Sequence, residues 1–148
     1  MDYHVRIEQI EPVPIVAVNR RAPQKELSRV VPAACGEVWN YVRSAGVQGP
    51  GRLVAIYLDC EINMEIGVEV SGPVPANDQV INSATPGGNV ATTVHMGPYN
   101  QLGAAHKAIT DWCQANGHEP SINWEVYGHW NDDPAKVRSD VYYLLGAP

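Results

Sequence analysis

Ile15-Val16-Ala17-Val18-Asn19-Arg20-Arg21-Ala22-Pro23 and Val90-Ala91-Thr92-Thr93-Val94-His95-Met96-Gly97-Pro98 are one pattern written twice, starting at residue 15 and again at residue 90. Each is a β-rich run stopped by a small residue and a proline, which removes a ladder donor. A helical pattern follows both. In the second half Leu102, Ala105, Ile109 and Trp112 form one apolar stripe, with Asn100 as the expected N-cap and Gly117 as the stop. In the first half Leu27, Val31, Ala34, Val38 and Tyr41 repeat the stripe and Gly46 the stop. Pro32 and Gly36 interrupt it, which predicts a helix starting at Pro32 after an irregular turn. Strand patterns at 52–58 and 64–70 answer those at 122–128 and 139–145, with Pro73 and Pro148 after the last of each pair.

The repeat unit is therefore strand–helix–strand–strand, and residues 72–89 join the two copies through the Pro86-Gly87-Gly88-Asn89 turn. Two such units predict an α+β fold with pseudo-twofold symmetry. Its antiparallel sheet would carry the helices on one side and a ligand groove between the halves. The expected organisation is a single domain over 1–148, with halves at about 4–73 and 80–148.

Composition narrows the function. The 148 residues carry 16 acids and 10 bases, a net charge of −6, and 45% are hydrophobic. A chain of this size buries roughly 68–70% of its unfolded surface and needs no disulfide or metal to fold. The bases are scattered, which speaks against direct nucleic-acid binding. There is no apolar run long enough for a membrane span, and Met1-Asp2-Tyr3-His4 does not open a secretory signal. Cys35, Cys60 and Cys113 lack CxxC spacing and read as reduced thiols. The expectation is a cytoplasmic protein without a membrane partner. Its aromatic residues are seven Tyr and four Trp with no Phe, so every ring carries a polar handle.

The stretch Asn123-Trp124-Glu125-Val126-Tyr127-Gly128-His129-Trp130 holds the most chemistry. Alternation along a strand puts Glu125 and Tyr127 on one face and Trp124 and Val126 on the other. A buried carboxylate among rings costs several kcal/mol unless something compensates it. A ligand cation would do so, and each surrounding ring face adds roughly 0.5–2 kcal/mol. The structural alternative is an ion pair with Arg52 or Lys107, or contact with water.

Other motifs carry less. His4, His95, His106, His118 and His129 show no metal-ligand spacing, and neither a metal nor a cofactor is expected. Cys113 with His95 or His106 could form a nucleophile–base pair, but Cys113 borders the apolar stripe and reads as a packed thiol. Glu61, Glu65 and Glu69 share a strand face and read as a solvated edge. No phosphate loop or nucleophile elbow is present.

Val90 to Tyr99, the helix ending in Trp112…Gly117, Trp124-Glu125-Val126-Tyr127, and the Asp133-Pro134 turn before the last strand together resemble the GyrI-like family. Gly49-Pro50, Ala55-Ile56-Tyr57 and Glu65-Ile66-Gly67-Val68 fit the same family in the first half. Its members are effector-binding domains of AraC-type and MerR-type bacterial regulators, and they also occur alone. The resemblance implies a pocket for lipophilic, often cationic, small molecules. Glu125 falls on the family's buried glutamate, with Tyr57 and Tyr99 in matching motifs as pocket rings. Trp39, Trp112, Tyr127 and Tyr142 are further ring candidates by placement. The strand pattern begins within the first residues, so no helix-turn-helix domain is expected here. Two alternatives stay open. One is a hydrolase of strained, cyclopropane-type toxins using Glu125. The other is an interaction module acting on gyrase or on a separately encoded regulator.

Overall fold

The computed structural model describes residues 3–47, 51–58, 63–72, 74–75, 79–128 and 133–145. Gly49-Pro50, Cys60, Glu61, Pro73, His129, Trp130 and Pro148 lie outside them. The chain is α+β: eight strands and two helices in two compact units, Met1–Glu11 with Gly87–Pro148, and Pro12–Pro86. Within each unit every strand pairing is antiparallel. Among the described residues no helix is long and apolar enough to cross a membrane.

In chain order the elements are β1 (Arg6–Ile10), β2 (Pro14–Arg21), α1 (Leu27–Ser44), β3 (Leu53–Tyr57), β4 (Asn63–Glu69), β5 (Ile81–Ala84), β6 (Gly88–Met96), α2 (Leu102–Ala115), β7 (Pro120–Tyr127) and β8 (Arg138–Leu145). One unit orders its strands β1-β6-β8-β7 and the other β5-β2-β4-β3. The strand–helix–strand–strand repeat is β2-α1-β3-β4 and β6-α2-β7-β8, as the sequence predicts. Each unit then gains a strand outside the repeat. β5 pairs with β2 and β1 pairs with β6, so the compact units differ from the halves 4–73 and 80–148. The reason is backbone hydrogen bonding: β2 and β6 each have a second side to satisfy, and these short strands supply the partner.

The repeat extends to the helix ends. Pro23 and Pro98 each open a short 3-10 turn, Gln24–Glu26 and Tyr99–Gln101, and both helices begin on a leucine directly after it. Leu27 and Leu102 keep the 75-residue offset, and here the expectation of a start at Pro32 is corrected. Pro32 lies inside α1, on its exposed side. Burial of Val31, Ala34, Val38 and Val42 carries the helix through the proline's missing hydrogen bond. Asn100 falls within the 3-10 turn rather than at the helix cap, which Gln101 occupies. At the far ends Gly46 (φ 71°) and Gly117 (φ 74°) take the left-handed conformation. The amides of Val47 and His118 close back onto the carbonyls of Val42 and Cys113 at 3.0 and 2.9 Å. Both helices thus end in the same Schellman closure.

α2 lays Leu102, Ala105, Ile109 and Cys113 against Ala91, Val141 and Leu145, while α1 packs on β4 and β2. Four successive β2 residues, Ile15 to Val18, are at most 2% exposed, so that strand is covered on both faces. β4 lies between β3 and β2, which corrects the reading of its acids as a solvated edge. Glu69 accepts from the Arg52 side chain at 3.1 and 3.3 Å, and one oxygen of Glu65 is buried without a hydrogen-bond partner.

Gly67 marks the tightest approach. A Cβ there would sit 2.4 Å from the Val16 carbonyl oxygen of the neighbouring strand, whereas a Cβ at Gly36 of α1 would meet nothing within 4 Å. Gly67→Ala is expected to lower stability by about 1–3 kcal/mol through overpacking. Gly36→Ala is expected to raise it by up to about 1 kcal/mol through helix propensity. Urea midpoints of the two variants check this; equal midpoints would contradict the packing assignment.

Candidate functional site

β7 delivers the acid. Trp124, Glu125 and Val126 are 1%, 6% and 4% exposed, so the strand is covered on both faces where Glu125 sits. Glu125 pairs across the ladder with Val141, a residue of the core beneath α2. Its carboxylate therefore lies on the helix side of the sheet. Trp124 points to the opposite face and stacks on its cross-strand neighbour Tyr142, with centroids 5.2 Å apart.

Two side chains of the same unit hold the carboxylate. The Tyr127 hydroxyl, two residues along the same face, donates to Oε1 at 2.5 Å. His106 of α2 donates from Nε2 to Oε2 at 2.6 Å. The other ring nitrogen, Nδ1, lies 2.7 Å from the Tyr143 hydroxyl. With Nε2 donating to the carboxylate, a neutral ring accepts at Nδ1 from the Tyr143 hydroxyl, so Glu125 selects the tautomer. Burial pushes the Tyr143 hydroxyl up to about 12, and the charges of Glu125 and Cys113 add to it. The four side chains form one chain of hydrogen bonds, Tyr127–Glu125–His106–Tyr143. Bonds to a charged acceptor are each worth about 1.5–3 kcal/mol.

Each of the basic residues weighed as partners makes an ion pair with another acid. Arg52 meets Glu69, and Lys107 meets Asp111 at 2.6 Å. A phenol hydroxyl and a histidine ring orient the carboxylate, one on each oxygen. The arrangement can hold a fixed negative charge or accept a proton within hydrogen-bond reach.

The expected rings divide. Tyr127 touches Glu125, and Tyr99 meets Tyr127 edge-on at 5.4 Å while 45% exposed. Trp112 lies on α2 but stacks on His118 (5.4 Å, 4°), more than a turn beyond His106. Tyr142 is on the opposite face of the sheet from Glu125. Tyr57 on β3 and the exposed Trp39 on α1 belong to the other unit. His95 is fully buried, bonded to the Tyr3 hydroxyl at 2.9 Å and to the Pro98 carbonyl at 3.0 Å. Cys113 is buried in the α2 core, and burial pushes its thiol up. Neither forms the nucleophile–base pair considered from sequence.

Sequence reading missed Tyr143, and it weighed His106 only as a base for Cys113, whereas the ring bonds Glu125 and Tyr143. His106 lies four residues after Leu102 and three before Ile109, a polar residue on the edge of the apolar stripe. Tyr143 lies two residues after Val141, on the Glu125 face.

A duplicated sheet-and-helix unit with a buried carboxylate among tyrosines defines the class, a small-molecule binding domain. The chain belongs to the GyrI-like small molecule binding domain family, whose profile matches residues 3–145. The fold is similar to that of the EcmrR C-terminal domain (TM-score 0.80, 20% identity, 100% of both chains covered). It is also similar to SAV2435, solved bound to tetraphenylphosphonium (TM-score 0.66, 10% identity, 99% of this chain and 95% of that one). A hydrolase from Listeria innocua shares it as well (TM-score 0.59, 8% identity, 96% and 91%). No curated protein matches the sequence.

Tyr143 offers a direct check on the network. Its folded value of about 12 lies above the ordinary 10. Its contribution to stability is therefore intact below pH 10 and is lost as the pH climbs to 12. Ultraviolet titration of the tyrosinates should show a late step near 12 that Tyr143→Phe removes. A late step that persists in Tyr143→Phe would contradict the assignment.

Proposed function

We propose that the protein binds lipophilic cations, with Glu125 as the counter-charge and Tyr99 and Tyr127 as adjoining rings. The observation that carries this reading is the Glu125 carboxylate, 6% exposed and gripped by Tyr127 and His106. An acid buried this deeply gains from the approach of a cation. Unlike charges 4 Å apart attract by about 4 kcal/mol at an effective dielectric of 20. Each ring face contributes roughly a further 0.5–2 kcal/mol. Family membership and the tetraphenylphosphonium bound to SAV2435 support the same reading.

Tetraphenylphosphonium and tetraphenylborate have the same shape and opposite charge, so together they test charge apart from greasiness. Quenching of tryptophan fluorescence is expected to report binding of the phosphonium and not of the borate. Glu125→Gln should weaken the phosphonium about 10–100-fold, the scale of a desolvated charge contact. Equal binding of both ions, or an unchanged Glu125→Gln, overturns the proposal.

A second reading uses the same atoms. With a histidine on Oε2 and a phenol on Oε1, Glu125 has the setting of a general base, and one fold neighbour is described as a hydrolase. It predicts turnover of an electrophilic cyclopropane that Glu125→Ala abolishes; substrate left intact after long incubation rejects it.

A further inference from the structure

His106 is the member of this site whose task the cation reading leaves open. Its ring bridges the carboxylate of Glu125 and the hydroxyl of Tyr143, with its side chain 21% exposed and that of Glu125 8%. A phenol can both donate and accept. When the ring is neutral, Tyr143 donates to Nδ1. When the ring carries a second proton, Nδ1–H donates to the phenolic oxygen. Nε2 donates to Glu125 in both forms. The ring can therefore change its charge by a full unit while keeping both of its hydrogen bonds. Burial keeps the Tyr143 hydroxyl protonated until far into the alkaline range, so it serves in either role.

Resting on the reading of Glu125 as the cation's counter-charge, we propose that His106 sets which ligand charge the site accepts. As imidazole it leaves the carboxylate negative and receptive to a cation. As imidazolium it neutralises Glu125 itself and favours uncharged lipophiles. The proton on His106 and the ligand's positive charge then compete for one carboxylate, so binding a cation expels a proton from the ring.

The surroundings of the ring within its unit are consistent with this exchange. Glu125 and Tyr127 face it from β7 and Tyr143 from β8. On its own helix, Lys107 is paired with Asp111 on an exposed surface and Cys113 is buried in the core. His95 of β6 is held between Tyr3 and the Pro98 carbonyl.

The test uses tetraphenylphosphonium, whose charge does not titrate, and calorimetry of the whole chain in two buffers of different ionisation enthalpy. Affinity is expected to be about tenfold weaker at pH 5.5 than at pH 8. Between those values, binding should release protons to the buffer. His106→Gln should bind with the same affinity at both pH values and release none. The wild-type proton count decides the matter even if that variant does not fold. Binding at both pH values without proton release overturns this proposal and leaves the cation reading standing. So does a His106→Gln chain that keeps the full pH dependence, because Glu125 itself would then be titrating. No binding at either pH overturns both.

Discussion

The interaction around which the site is organised is the grip of the Tyr127 hydroxyl and the His106 ring on the buried carboxylate of Glu125. Tyr127 meets one of its oxygens and His106 the other. Everything near it serves that grip. β7 buries the acid, α2 brings the imidazole over it, and β8 brings the phenol that anchors the imidazole. The bonds are short because one partner is an ion, and the orientation is fixed because both ends of the chain are tyrosines packed into the unit.

Much of the architecture was legible from a repeat read before any element was assigned. Proline after a β-run, a leucine four residues later and a glycine past the last helical turn recur in both halves, and each has a visible structural cause. Pro23 and Pro98 open 3-10 turns, Leu27 and Leu102 begin helices, and Gly46 and Gly117 end them. The α1 start was misplaced because Pro32 weighed more in local propensity than the offset to Leu102. Burial of one helix face outweighed it in the fold. β1 was expected only as a strand pattern near the start with no partner named, and β5 escaped notice, for another reason. Five and four residues long, they are recruited by the open sides of β6 and β2, not by their own pattern.

The site was legible in part. Strand alternation put Glu125 and Tyr127 on one face, and that is where they lie. Alternation also carried the means to choose Tyr143 over Tyr142, but only once the Glu125–Val141 register is known. A register is a long-range fact that a single sequence leaves open. His106 was visible as an odd polar residue on an apolar stripe, yet its partner lies 19 residues away on another element. The absence of phenylalanine gains a physical reading. The hydroxyls of Tyr3, Tyr41, Tyr127 and Tyr143 all make hydrogen bonds. A phenylalanine at any of these positions would lose one.

A structure of the protein crystallised with tetraphenylphosphonium bears on the central claim most directly. The account places the phosphorus within about 6 Å of the Glu125 carboxylate, the range over which an opposite charge acts on an acid. Rings of Tyr99 and Tyr127 should lie against the phenyl groups. A cation seated on a surface remote from Glu125, with the Tyr127–Glu125–His106 chain unchanged beside no ligand, would contradict it.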